Sequence, residues 1–163
     1  MSVNYIFKHK KNIIDIYIEC KFWQEINNIK KISNFIIKKT MKHLIKNNCL
    51  FNISLLLTND KKLKYLNNIF KNNNKTTNVL AFSYYKQKTI QNLIKKNYYL
   101  FLGDIAISYN KMICDSIKNN KCFNNYFISL LIHGVLHLYG YDHKFQNETK
   151  IMQKLEDEIM NYF

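Results

Sequence analysis

Proline and arginine are both absent from the 163 residues, and only three glycines occur. With no proline-, glycine- or serine-rich stretch to serve as a linker, the chain is expected to form one domain, 1–163. At 47% apolar residues that domain can bury a sizeable core. No apolar run reaches the ~18–20 residues needed to cross a membrane, and the best stretch, 127–141, is interrupted by histidines. The first residues lack a long apolar stretch behind a basic opening, which predicts no secretion signal. Cys20, Cys49, Cys114 and Cys122 form no C-x-x-C pair and no zinc-ribbon spacing. They are therefore expected to be small buried apolar residues in a reducing compartment. The expected location is the cytoplasm, with no membrane partner.

What is abundant is lysine, asparagine, isoleucine, tyrosine and phenylalanine, the pattern that adenine- and thymine-rich codons encode. Every one of the 25 basic residues is lysine, and the formal charge is +14. Lysine accumulates through codon drift as well as for binding polyanions, so charge alone does not separate a solvated surface from a nucleic-acid-binding one. Its distribution says more. Residues 1–141 hold 22 lysines against 6 acids, whereas 142–163 hold 3 against 5. The positive field belongs to the body of the chain, not to its last helix.

Alternation of Ile14, Ile16 and Ile18 with Asp15, Tyr17 and Glu19 predicts a half-buried strand over 13–19. From Asn28, the spacing of Ile29, Ile32, Ile36, Met41, Leu44 and Ile45 predicts an amphipathic helix ending near Asn47 and Asn48. Residues 49–57 read as a central strand. Asn59 or Asp60 then caps a helix carrying Leu63, Leu66, Ile69 and Phe70. Asn72 to Asn74 read as a loop, 77–85 and 98–108 as further strands, and the lysine-rich connection 86–97 as the most flexible segment. Helices follow over 109–118, 123–139 and 148–161, the last with an Ile151, Leu155, Ile159 stripe. Strands alternating with helices early and helices clustering late predict an α+β fold. It would have one mixed sheet of about four strands packed against about five helices.

Residues 133–143, His-Gly-Val-Leu-His-Leu-Tyr-Gly-Tyr-Asp-His, hold three of the five histidines and two of the three glycines. On a helix, His133 and His137 share one face, with Cβ atoms about 5–6 Å apart, so both imidazoles can reach one ion. Gly140 is the residue type that permits a left-handed turn, after which His143 can swing back. Three nitrogens plus an open position suit catalytic zinc, although nickel or copper would also be accepted. His9 and His43, standing alone, are read as structural. The same spacing occurs in HExxHxxGxxH peptidases, whose glutamate is the general base. Here Gly134 stands in its place, and loss of such a base is commonly worth ~10²–10⁴ in rate. A metallopeptidase is therefore disfavoured.

The segment HGVLHLYGYDH resembles the HGxLHLxGYDH motif of the YbeY family of metal-dependent endoribonucleases, the rRNA maturation factors. Residues Thr77 to Phe82 are similar to that family's PT-[DN]-VLSF strand, Leu102 to Ser108 to its LGDIxIS strand, and Met152, Leu155, Glu156 and Ile159 to its ME-LE-xI ending. The resemblance spans about 13–163. It implies a zinc-metalloprotease-like arrangement with the metal site on a C-terminal helix, and one Zn2+ held by His133, His137 and His143. It also implies single-stranded RNA as substrate, acting in 3′-end maturation of small-subunit rRNA, ribosome biogenesis and ribosome quality control. The small-subunit rRNA and the ribosome are then the expected partners.

Two departures stand out. In the segment Phe70 to Thr77 the family has an arginine where this chain has Lys71, and a proline where it has Thr76. Lys71 keeps a positive charge for phosphate but lacks the planar fork that holds two oxygens at once. A ribosome-associated RNA-binding protein with a structural metal and little catalysis is therefore the alternative reading. Asp142 could orient a histidine through its ring N–H or cap the turn. Asp104 and Ser108 could line the cleft or serve structural hydrogen bonds. Tyr84, Tyr85, Tyr98 and Tyr99 could stack on unpaired bases or pack as strand aromatics commonly do.

Overall fold

The computed structural model describes residues 11–96 and 98–163. Its elements run β1 (Ile13–Ile18), α1 (Lys21–Gln24), α2 (Ile29–Leu44), β2 (Phe51–Thr58), α3 (Asp60–Lys71) and β3 (Val79–Ser83). They continue with α4 (Gln87–Lys95), β4 (Leu100–Ser108), α5 (Tyr109–Lys118), α6 (Phe123–Leu138) and α7 (Gln146–Met160). The fold is α+β with one mixed sheet in the order β1-β2-β4-β3. The first three strands in that order pair in parallel, and β3 runs antiparallel to β4. His9 lies outside the described residues, as does Asn97 of the connection 86–97. Among the described residues no helix is long and apolar enough to cross a membrane.

Strand alternation sorts side chains onto two faces. From β2, Phe51, Ile53, Leu55 and Leu57 enter the main core with α2 and α6, while Leu56 turns to the other face, where Leu63 of α3 meets Leu80 and Ala106. In β4 the parity breaks. Leu100 and Leu102 face the main core, and so do Ile105 and Ile107. The pairing register against β2 slips between Asn52 and Ile53 to make this possible. Gly103 sits at the slip with φ +133°, and a Cβ there would lie 2.0 Å from the carbonyl oxygen of Phe82.

Four expectations change. The connection 86–97 contains a helix, α4, because Ile90, Leu93 and Ile94 sit at helical spacing; Ile90 is fully buried and the other two pack against the core. The short α1 is added, pinned by Trp23, whose indole N–H donates to the Thr58 carbonyl at 3.0 Å, so the described helices number seven. Cys20 and Cys49 are buried, but Cys114 and Cys122 are exposed. In α3, Ile69 and Phe70 point to solvent. The buried face of α2 also includes Ser33 and Thr40, whose hydroxyls donate to the helix's own Ile29 and Ile36 carbonyls. An apolar-only stripe misses both.

Gly103→Ala should lower stability by about 2–4 kcal/mol, because the added methyl forces both a strained backbone and a displaced Phe82 carbonyl. The denaturant midpoint measures this, and an unchanged midpoint would remove the structural reason given for glycine there.

Candidate metal centre

Helix α6 is apolar on nearly every side, with Leu131, Ile132, Val135, Leu136 and Leu138 fully buried. Gly134 allows this close seating: a Cβ there would meet Ile105 of β4 at 3.0 Å. Position 134 thus points into the sheet. A glutamate side chain there would run first into Ile105, which gives the missing peptidase base a packing reason.

The helix stops one residue after His137. Gly140 takes φ +94°, its N–H donates to the His137 carbonyl at 3.0 Å, and the Tyr141 N–H donates to Leu136 at 3.0 Å. This pair of bonds is the Schellman ending that glycine favours. The chain reverses and brings His143 to the other two rings. Ring centroids are 4.5 Å apart for His133 and His137, 4.9 Å for His137 and His143, and 5.4 Å for His133 and His143. One nitrogen from each lies within 4.8 Å of the others, a group that could hold a metal ion.

Hydrogen bonds set the tautomers. His133 Nδ1 lies 2.6 Å from Glu156 Oε1 on α7, and His137 Nδ1 lies 3.0 Å from the Tyr141 carbonyl. A carboxylate and a carbonyl can only accept, so in the neutral rings Nδ1 carries the proton and Nε2 presents its lone pair. Those two Nε2 atoms are 3.0 Å apart. A tetrahedral ion with nitrogen ligands at roughly 2.0–2.1 Å would have them ~3.3 Å apart, so this pair fits one ion. His137 is pushed down to about 4 from 6.5, first by burial and then by the neighbouring His133 and His143, with the Tyr141 carbonyl and Asp142 acting the other way. It is uncharged at neutral pH, as a ligand must be.

Asp142 takes the bonds of the turn, accepting from the His143 N–H at 2.8 Å and from Lys144 Nζ at 3.0 Å. Burial acts to raise its pKa, but these two partners outweigh it and hold the carboxyl below its ordinary value. The ring orienters are instead Glu156 and the Tyr141 carbonyl. Glu156 stands in the sequence as part of the terminal motif, but nothing local there marks its partner. A backbone carbonyl has no sequence signal at all.

The histidines lie in a cavity of about 970 Å³ whose wall also includes Lys71, Lys75, Lys86, Lys144, Tyr84 and Tyr85. Lys71, at the end of α3, is brought to the site from far away in sequence. Partial burial is the main cause lowering its pKa, with Asp142 opposing and Lys144 assisting. Tyr98 and Tyr99 do not line this cavity. Neither do Asp104, which is exposed, and Ser108, which is fully buried and donates to Asp60. His43 is structural, 3.1 Å from the Tyr162 hydroxyl and 3.6 Å from Glu158.

A family model for Endoribonuclease YbeY matches residues 17–163. An endoribonuclease YbeY of Bartonella quintana (strain Toulouse) is 35% identical over 147 residues, covering 90% of each chain. A protein of Thermotoga maritima, solved in solution, shares the fold with a TM-score of 0.54 at 22% identity, covering 92% of this chain and 91% of that one.

Two outcomes follow from the second layer of contacts. Glu156→Ala should weaken metal affinity about 10- to 100-fold, and Glu156→Gln by less, in competition titrations against a chromophoric chelator; unchanged affinity would remove Glu156 from the site. In the metal-free protein, the His137 pKa near 4 against 6.5 for an ordinary histidine means the unfolded chain binds the extra proton in that window. Stability contributed at His137 therefore falls as pH drops from 6.5 to 4. The slope of denaturation midpoint against pH should be shallower in His137→Gln, and an identical slope would contradict the assignment.

Proposed function

This chain belongs to the YbeY endoribonuclease family, and from that premise we propose that it is a single-domain, cytoplasmic, zinc-dependent endoribonuclease that cuts single-stranded RNA. Its proposed work is 3′-end maturation of small-subunit rRNA, within ribosome biogenesis and ribosome quality control. The observation that carries the reading is the convergence of His133, His137 and His143 in a lysine-walled cavity.

The three histidines would hold the ion, which when bound supplies a Lewis acid for polarising a phosphoryl oxygen and activating water. Glu156 and the Tyr141 carbonyl keep the ring protons on Nδ1, so the donor atoms stay aimed without rearrangement. Lys71 and Lys144 neutralise the charge that grows on phosphorus-bound oxygens as the bond breaks. His143 is exposed and lines the cavity, so the histidine group opens to solvent.

The alternative, an RNA-binding protein whose metal is structural, draws on Lys71 standing where the family has arginine. One assay separates them: turnover of a single-stranded RNA by untagged protein. His133→Ala should lose both bound metal and cleavage. Lys71→Ala should lose about 10- to 100-fold in kcat/KM, and Lys71→Arg should match or exceed the natural protein. Cleavage that persists in metal-free His133→Ala would refute the nuclease mechanism, and RNA binding without turnover in the natural protein would favour the alternative.

A further inference from the structure

Tyr84 is 73% exposed, directly after β3, on the wall of the cavity that contains the histidines. Aromatics on and beside strands generally cover a core. Phe82 does so, meeting Phe70 at 5.2 Å and packing on the Leu63, Leu80 and Ala106 cluster. Tyr85 packs against the main core. Among the described residues Tyr84 is placed in neither cluster and has Tyr85 as its aromatic neighbour, 5.6 Å away with the rings inclined at 64°.

The backbone beneath this ring is fixed, because the Tyr84 N–H donates to the Leu102 carbonyl at 2.9 Å and continues the pairing of β3 with β4. A large planar side chain is thus held out into the cavity from a rigid support. Lys71, Lys75, Lys86 and Lys144 line the same cavity. Flat rings interleaved with cations are the elements of a track for unpaired nucleic acid, with lysines following phosphates and rings receiving bases.

We propose that Tyr84 is a stacking platform for one base flanking the phosphate at the histidines, and that this contact contributes selectivity for unpaired nucleotides. The inference rests on reading the cavity as an RNA site. In a duplex both faces of each base are covered by its neighbours in the stack, so a protein ring can receive only a base that has left it. Every base has a π-face, so the contact should be tolerant of sequence.

The test uses untagged, metal-loaded protein and a single-stranded RNA oligonucleotide made cleavage-resistant by phosphorothioate linkages, with a series in which each position in turn is abasic. Tyr84→Ala should weaken Kd roughly 10- to 100-fold, and Tyr84→Phe and Tyr84→Trp should retain binding. One abasic position should weaken the natural protein by a similar factor yet leave Tyr84→Ala unaffected. Tyr84→Ala that binds like the natural protein, or that still responds to every abasic position the natural protein responds to, overturns the proposal. If the natural protein cleaves single-stranded RNA while Tyr84→Ala binding is unaltered, stacking fails and the nuclease reading stands. If the coupling to one abasic position appears but no RNA is cut, the platform stands and the nuclease reading fails.

Discussion

The left-handed turn at Gly140 is the constraint on which the site depends. Helix α6 must end just after His137 and send its chain back toward its own last turn, or His143 never reaches the other rings. Gly140 meets that need with φ +94°, and it also lies against α4: a Cβ there would fall 2.6 Å from the backbone nitrogen of Gln87. The turn is therefore locked on both sides, by its own helix carbonyls and by the start of α4. The contact also ties the histidine loop to the segment that carries Tyr84 and Tyr85, so the cavity's histidine side and its aromatic side share one junction.

Around that turn, each neighbouring element fixes one variable of the chemistry. Glu156 reaches from α7 to set the proton on His133, while the Tyr141 carbonyl does the same for His137. The close seating of α6 on β4 at Gly134 and Ile105 sets the depth of the histidine face beside the sheet edge. The end of α3 delivers Lys71, and the segment after β3 delivers Tyr84. Lysine side chains thus gather around three imidazoles, an environment suited to an anionic phosphodiester. Of the acidic residues of α7, Glu156 reaches a site imidazole, whereas Glu158 faces His43 and Lys154.

The histidine site was legible in the sequence because its logic is local: a four-residue step, a glycine and a third histidine lie within eleven positions. Strand β1 was legible from its local alternation, and β2 from a short apolar run of strand length. What escaped depends on contacts between distant segments. Nothing near Glu156 marks it as the partner of His133, because the pairing exists only once α7 packs beside α6. The break in parity in β4 at Gly103 follows from the approach of Phe82, and α4 carries just three apolar anchors among polar residues, too sparse to outweigh its lysines. The exposure of Cys114 and Cys122 likewise depends on which faces α5 and the start of α6 leave uncovered.

The proposed reaction requires three imidazoles to hold the ion on which RNA cleavage depends. It is tested most directly by adding zinc in measured steps to untagged, metal-free protein while following cleavage of a single-stranded RNA. Activity should be absent at the start, rise in proportion to metal and level off at one equivalent per chain. Full activity before any metal is added, or metal taken up to one equivalent with no cleavage, would contradict it.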